Sequence, residues 1–224
     1  NFYDSRHISK LLKPHGYAES YEIKEADLII LNTCHIRDKA AEKVYSELGR
    51  IKKIFKKNIK KKPVIAVAGC VAQAEGKEII KRSPWVDIVV GPQAYTDIPK
   101  LIEKLRNEKK ITHLSFPEIP KFDNLCFQND NSKISEFITI QEGCDKFCSF
   151  CVVPYTRGPE YSRSKESIID EVKLMVSKGL KEVILLGQNV NAWKDPQVNN
   201  DFGLGQLIEE IASINEIVSI RYTT

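Results

Sequence analysis

Short apolar runs alternate with longer amphipathic segments along most of this chain, and that alternation predicts its elements. Ile8, Leu11 and Leu12 have helical spacing within Arg6 to Lys13, and Pro14-His15-Gly16 closes the turn. Ala26 to Cys34 is an apolar run of the kind found in a buried parallel strand. A long helix is expected from about Asp38 to Lys57, with Ala41, Val44, Tyr45, Leu48, Ile51 and Phe55 on one face. Pro63 to Cys70 reads as a second strand with Ala74 to Arg82 as its helix. Trp85 to Val90, Thr96 to Asn107 and Thr112 to Phe116 continue as strand, helix and strand.

Pro117 to Ser132 breaks this pattern with two prolines and the polar run Gln128-Asn129-Asp130-Asn131-Ser132, the composition of a linker. Beyond it, Glu136 to Gln141, Lys181 to Leu186 and Glu216 to Tyr222 read as strands, with helices at Ser164 to Lys178 and Leu204 to Ser213. Ser164 is a plausible cap, but Ser167 stands where a capping box needs Glu. The expected fold class is α/β: an amino-terminal parallel-sheet domain over 1–116, a linker over 117–134, and β-α units over 135–224. Three such units look like the first half of a (β/α) barrel, whose active site lies at the carboxyl ends of its strands. Open parallel sheets also bind their ligands at that edge. Cys34 and Cys70 each end a predicted strand there, either as ligands or as small buried residues.

Composition excludes little. The 224 residues are 42% hydrophobic and 29% charged, as in soluble globular proteins, and can bury one large core or two modest ones. Nothing resembles a membrane span or secretion signal, so a cytoplasmic protein is the default expectation. A net charge of +4 does not announce a nucleic-acid binder. Lys52, Lys53, Lys56, Lys57, Lys60, Lys61 and Lys62 crowd one segment, which suits either phosphate contact or a solvated helix end.

The cysteines change the picture. Cys144, Cys148 and Cys151 form C-x3-C-x2-C, half of the six cysteines in the chain. A closed zinc site wants four ligands, and disulfides want an even number. A four-iron cluster suits the triplet better, with one iron lacking a protein thiolate and open to another ligand. The bland alternatives are a zinc knuckle short of a ligand, or three buried thiols. Cys126 has no motif partner.

With Phe150 before its last cysteine, the triplet resembles the cluster loop of the radical S-adenosylmethionine enzymes. Gly143 to Cys151, Pro154-Tyr155-Thr156-Arg157-Gly158, Ser162-Arg163 and Gly187-Gln188-Asn189-Val190-Asn191 together resemble the MiaB-type, tRNA-modifying methylthiotransferases. The resemblance covers essentially the whole chain. It implies a middle portion of such an enzyme, without the first amino-terminal cysteine, the second half of the barrel and the carboxyl-terminal RNA-binding domain.

That resemblance implies two 4Fe-4S clusters and S-adenosylmethionine. Cys144, Cys148 and Cys151 would be the catalytic ligands, whose open iron takes the cosubstrate and whose electron releases a 5'-deoxyadenosyl radical. Cys34 and Cys70 match two of three ligands of an auxiliary cluster that supplies or carries sulfur. Phe150 would pack by the cosubstrate's adenine, or be a core aromatic. Gln188 and Asn189, with Asn191, would bond the cosubstrate or an adenine edge, or form a turn. Arg157 would meet a carboxylate or phosphate, or form a structural ion pair, and Glu160 is a further candidate for the methionine amine. The implied reaction methylthiolates carbon 2 of isopentenyl-adenosine in the anticodon loop of tRNA, with an electron donor such as a flavodoxin or ferredoxin. Alternatives are threonylcarbamoyl-adenosine, a ribosomal-protein aspartate, or a non-catalytic iron–sulfur protein that binds RNA.

Overall fold

The computed structural model describes residues 2–34, 39–56, 62–116, 134–198 and 202–223. The chain divides into two compact units, Asn1–Asn124 and Leu125–Thr224. The linker expected over Pro117 to Ser132, Cys126 within it, and Lys57, Lys60 and Lys61 lie outside the described residues.

In the first unit, helix α1 (Phe2–Leu12) starts earlier than the apolar spacing predicts. Tyr3 and His7, one turn apart, pack edge to face at 4.4 Å, and both are buried with Asp4, so aromatic and polar groups do the work assigned to aliphatics. Strand β1 (Leu28–Thr33), helix α2 (Lys39–Lys56) and strand β2 (Val64–Gly69) follow as expected. The next helix is two: α3 (Cys70–Glu75) and α4 (Lys77–Arg82), divided at Gly76, whose φ of 52° no right-handed helix accepts. Strand β3 (Ile88–Val90), helix α5 (Ile98–Lys104) and strand β4 (Ile111–His113) complete the unit.

The four strands pair in parallel in the order β1-β2-β3-β4. Alternate residues of each strand face opposite ways, and both faces are covered. Ile29, Ile65, Val67 and Val89 share one core with Val44, Leu48 and Ile51 of α2 and Val71 of α3. Ala66, Ala68, Ile88 and Val90 share the other with Ile8 and Leu12 of α1 and Ile98 and Leu101 of α5. Burying a side chain such as Leu48 or Ile51 completely contributes about 1.5–3 kcal/mol.

Part of the lysine patch serves internal contacts: Lys52 Nζ lies 4.0 Å from the centre of the Trp85 ring, and Lys62 pairs with Asp87 at 2.8 Å. On the same side of α2, the Tyr45 hydroxyl donates to Glu75. Burial, reinforced by that carboxylate, pushes its pKa up to about 12.

The second unit is built on strands β5 (Ser135–Thr139), β8 (Glu182–Leu186) and β9 (Ser219–Thr223), parallel in the order β5-β8-β9. Between them lie strand β6 (Gln141–Glu142), helix α6 (Val153–Arg157), strand β7 (Tyr161–Ser162) and helix α7 (Lys165–Val176), with α8 (Leu204–Ala212) before β9. The Ser164 side chain accepts from Ser167 N at 3.3 Å, capping α7. Ile138, Val183 and Leu185 of the sheet bury against Ile168 and Val172 of α7 and Leu207 and Ile211 of α8. This β-α-β-α-β succession is the partial barrel expected from the sequence. The antiparallel pair β6/β7 was not foreseen: two residues per strand are too short for a periodic signal.

Glu182, at the start of β8, draws together the starts of all three strands. Its carboxylate accepts from Ser135 Oγ of β5, Ser219 Oγ of β9 at 3.0 Å and the Arg221 guanidinium at 2.9 Å. The Ser135 hydrogen bond, then that of Ser219 and the Arg221 charge, hold its pKa below the ordinary glutamate range. A carboxylate depressed on folding contributes stability above its unfolded pKa and loses it as pH falls through the folded value. Glu182→Gln should therefore flatten the acid side of the stability profile below about pH 5, with little change at neutral pH in that slope. Chemical denaturation at several pH values measures this, and an unchanged acid slope would contradict the clamp.

Candidate functional site

Two segments meet at the carboxyl edge of the β5-β8-β9 sheet. One is the thiol loop, which leaves β6 and returns through β7. Gln141 pairs with Ser162 and Glu142 with Tyr161, so a hairpin stem closes the loop. A second fastening is ionic: the Arg157 guanidinium donates to the Glu142 carboxylate, and their side chains are only 11% and 2% exposed. Of the two sequence readings of Arg157, the internal ion pair is the one observed. Arg163 is likewise internal, donating to Thr139 O at 2.8 Å and to Glu171 at 2.7 Å with both side chains 1% exposed. Ser162 belongs to the stem.

At the foot of the loop, Gly143 has a φ of 75°, and a Cβ there would lie 2.0 Å from Pro159 O. Only glycine allows this approach. Cys144 N donates to Gly158 O at 3.3 Å and Cys144 is buried, whereas Cys148 is exposed and Cys151 half-buried. Cys151 N donates to Cys148 O at 2.9 Å, turning the last two thiols onto one bend. Phe147 adopts a φ of 47°, unusual for a residue with a side chain. Phe150 is 92% exposed, which overturns its alternative as a core aromatic and leaves its face open to a planar ligand.

The other segment is the amide turn after β8. Gln188 and Asn189 both lie there, as expected, but their side chains are engaged. Gln188 Oε1 accepts from Gly143 N at 2.8 Å, and Asn189 Nδ2 donates to Glu160 Oε2 at 3.5 Å. Asn191 is exposed in the following 3-10 turn. Gln141, which no motif marks, joins the two segments from within β6: its Oε1 accepts from Gln188 N at 2.9 Å and Asn189 N at 3.0 Å, and its Nε2 donates to Gly143 O at 2.7 Å. Complete burial of an amide two residues before a cysteine loop could be recognised only in the structure.

In the first unit, Thr33 and Gly69 are register partners, so Cys34 and Cys70 follow immediately at the carboxyl ends of adjacent parallel strands. Cys70 is buried and begins α3; Cys34 is half-buried. Gly69 has a φ of 94°, and a Cβ would lie 2.3 Å from Thr33 O, so glycine is required where β2 turns into α3.

All described cysteines are free thiols. Among the described residues, no three His, Cys, Asp or Glu side chains converge closely enough to hold a metal ion, so Cys144, Cys148 and Cys151 are not drawn to a common centre. The donor chemistry of the loop nevertheless fits a cluster that leaves one iron open: three unbridged thiols of graded exposure on one closed bend, with no fourth among the described residues of this unit.

Residues 138–224 match the Radical SAM superfamily, and residues 1–91 match the uncharacterized protein family UPF0004. The whole chain is 55% identical over 228 residues to 50% of a tRNA-2-methylthio-N(6)-dimethylallyladenosine synthase of Ehrlichia ruminantium (strain Gardel). Synthases of the same name from Pelagibacter ubique (strain HTCC1062) and Rickettsia prowazekii (strain Madrid E) are 52% identical over 226 residues and 56% over 232. These alignments cover all of this chain and 50% and 52% of those relatives. The chain is thus similar along its whole length to synthases of this name, with a Radical SAM match over its carboxyl-terminal segment. It spans about half the length of the curated relatives it matches. The Radical SAM match implies a 4Fe-4S cluster and S-adenosylmethionine. No helix among the described residues is long and apolar enough to cross a membrane.

The two enforced glycines give a direct stability test. Gly69→Ala and Gly143→Ala should each destabilise by more than about 1 kcal/mol, because each adds a Cβ at positive φ against a backbone carbonyl. Gly49→Ala, where nothing lies within 4 Å of the added carbon, is the control and should be neutral or mildly stabilising. Urea unfolding of the three variants decides it; equal midpoints would contradict the close approaches.

Proposed function

We propose that this chain is part of a tRNA-2-methylthio-N(6)-dimethylallyladenosine synthase, which replaces the hydrogen on carbon 2 of isopentenyl-adenosine by a methylthio group in the anticodon loop of tRNA. The observation that carries this reading is the closed loop of three free thiols beside the amide turn, in a chain 55% identical along its whole length to a synthase of that name. Residues 1–116 would form the auxiliary domain, 117–134 a linker and 135–224 the first part of the barrel. The protein would work in the cytoplasm with an electron donor such as a flavodoxin or ferredoxin.

Cys144, Cys148 and Cys151 would hold the 4Fe-4S cluster, as thiolates at the edge where α/β barrels place their chemistry. When bound, that cluster would supply the electron for reductive cleavage of S-adenosylmethionine. Phe150 would offer its exposed face to the adenine of the cosubstrate. Gln188 and Asn189 would contribute mainly through the shape of their turn, since Gln188 Oε1 and Asn189 Nδ2 are committed to Gly143 and Glu160. Cys34 and Cys70 would hold an auxiliary cluster, with a third ligand outside the matching positions of this sequence. A single-stranded loop suits the substrate, because its adenine can leave the stack and enter a pocket.

Anaerobic reconstitution should load a reducible four-iron cluster that the triple change of Cys144, Cys148 and Cys151 to Ala removes, with its spectrum. Undiminished iron and sulfide in that variant would refute the ligand assignment. Substrate choice is measured on the polypeptide carried to the full length of its relatives, with reductant, S-adenosylmethionine and tRNA lacking only the methylthio group. Nucleoside mass spectrometry should show product from isopentenyl-adenosine and little from threonylcarbamoyl-adenosine, whose carboxylate needs a cationic partner. The reverse preference would exclude the isopentenyl substrate while leaving the cluster chemistry standing.

A further inference from the structure

We propose that Gln141 is a positioning residue that locks the thiol loop to the amide turn, and that this lock sets the affinity for S-adenosylmethionine. The inference rests on the reading of Cys144, Cys148 and Cys151 as cluster ligands. Gln141 is 0% exposed, and its primary amide engages both segments at once. Its carbonyl oxygen accepts from the backbone N–H groups of Gln188 and Asn189, at 2.9 and 3.0 Å; its NH2 group donates to Gly143 O at 2.7 Å and Glu142 O at 3.5 Å. Gln188 returns the contact through Oε1 to Gly143 N at 2.8 Å, so Gly143 is held by both its N–H and its C=O.

Glycines leave room for this lock. A Cβ on Gly187 would stand 2.7 Å from Gln141 Oε1, and one on Gly143 would strike Pro159 O. The first thiol, Cys144, is the next residue after the clamped Gly143, and its own N–H is tied to Gly158 O at 3.3 Å. No charged side chain reproduces this pattern at neutral pH. A carboxylate accepts from Gln188 and Asn189 but has no donor for Gly143 O, and it sets a negative charge against that carbonyl. A protonated carboxyl has both a donor and an acceptor and nearly the same shape.

The test uses the polypeptide at the length of its relatives, reconstituted anaerobically, as wild type, Gln141→Leu and Gln141→Glu. Hydrogen exchange of the Gln188 and Asn189 amides should accelerate at least tenfold in Gln141→Leu, while amides of β8 keep their protection. With iron and sulfide content equal to wild type, Gln141→Leu should bind S-adenosylmethionine at least tenfold more weakly, followed through the change the cosubstrate makes in the cluster's electron paramagnetic resonance signal. Complete burial raises the pKa of a carboxyl placed there, so Gln141→Glu should approach wild-type affinity at the acid end of the range and weaken as pH rises and its carboxyl ionises. Unchanged exchange at Gln188 and Asn189, or S-adenosylmethionine affinity within twofold of wild type in both variants, would overturn the proposal. Loss of affinity only in proportion to lost iron would also overturn it, because the residue would then serve folding alone. Wild-type protein that takes up no cluster on the loop would refute the ligand reading itself, a result obtained before any variant is compared.

Discussion

Parallel strand pairing is the constraint on which the rest of this molecule depends. Parallel neighbours present all their carboxyl ends on one edge, and the return path for each connection is taken up by a helix or a long crossing. In the first unit that puts Cys34 and Cys70 next to each other after register partners Thr33 and Gly69. In the second it puts the thiol loop after β5 next to the amide turn after β8. Residues separated by dozens of positions become neighbours without any local signal to say so. The functional edge is therefore a consequence of strand direction before it is a consequence of any particular side chain.

The thiol loop carries polar and exposed residues that cannot build a core of their own. Its shape is imposed from below by the short β6/β7 stem, the Arg157–Glu142 pair and the two-way clamp on Gly143. A buried ion pair is a costly fastening, because both charges lose water; once formed, removing one partner costs about 3–5 kcal/mol. Its use here makes physical sense for a loop that has a glycine foot and no core of its own to hold its shape.

Buried polar side chains in this unit act on geometry rather than on solvent-facing chemistry. Arg163 joins Thr139 O of β5 to Glu171 and Ser167 of α7, and Trp193 Nε1 donates to Arg163 O at 3.0 Å. Glu182 performs the corresponding task at the opposite end of the strands. Arg157 and Gln188, residues that motif reasoning directs toward a ligand, belong at least in part to this same scaffold. A charged or amide side chain next to a reactive loop can be required for its position without meeting the substrate.

What the sequence alone determined is what depends on period and spacing. Apolar runs that end at Cys34 and Cys70, the face of α2 carrying Ala41, Val44, Leu48 and Ile51, and the C-x3-C-x2-C triplet were legible because each is a local pattern. Boundaries were less so: α1 begins at Phe2 because Tyr3 and His7 bury together, and Gly76 divides a helix whose apolar spacing runs straight through it. Only the tertiary structure decided that Arg157 faces Glu142, that Phe150 stands in solvent, and that Gln141 ties Gly143 to Gln188 and Asn189. The Arg157 and Gln141 outcomes turn on partners brought together by strand pairing across the sheet or hairpin. An amide or guanidinium has the same hydrogen-bonding capacity wherever it sits, so its partner is set by the fold and not by its place in the chain.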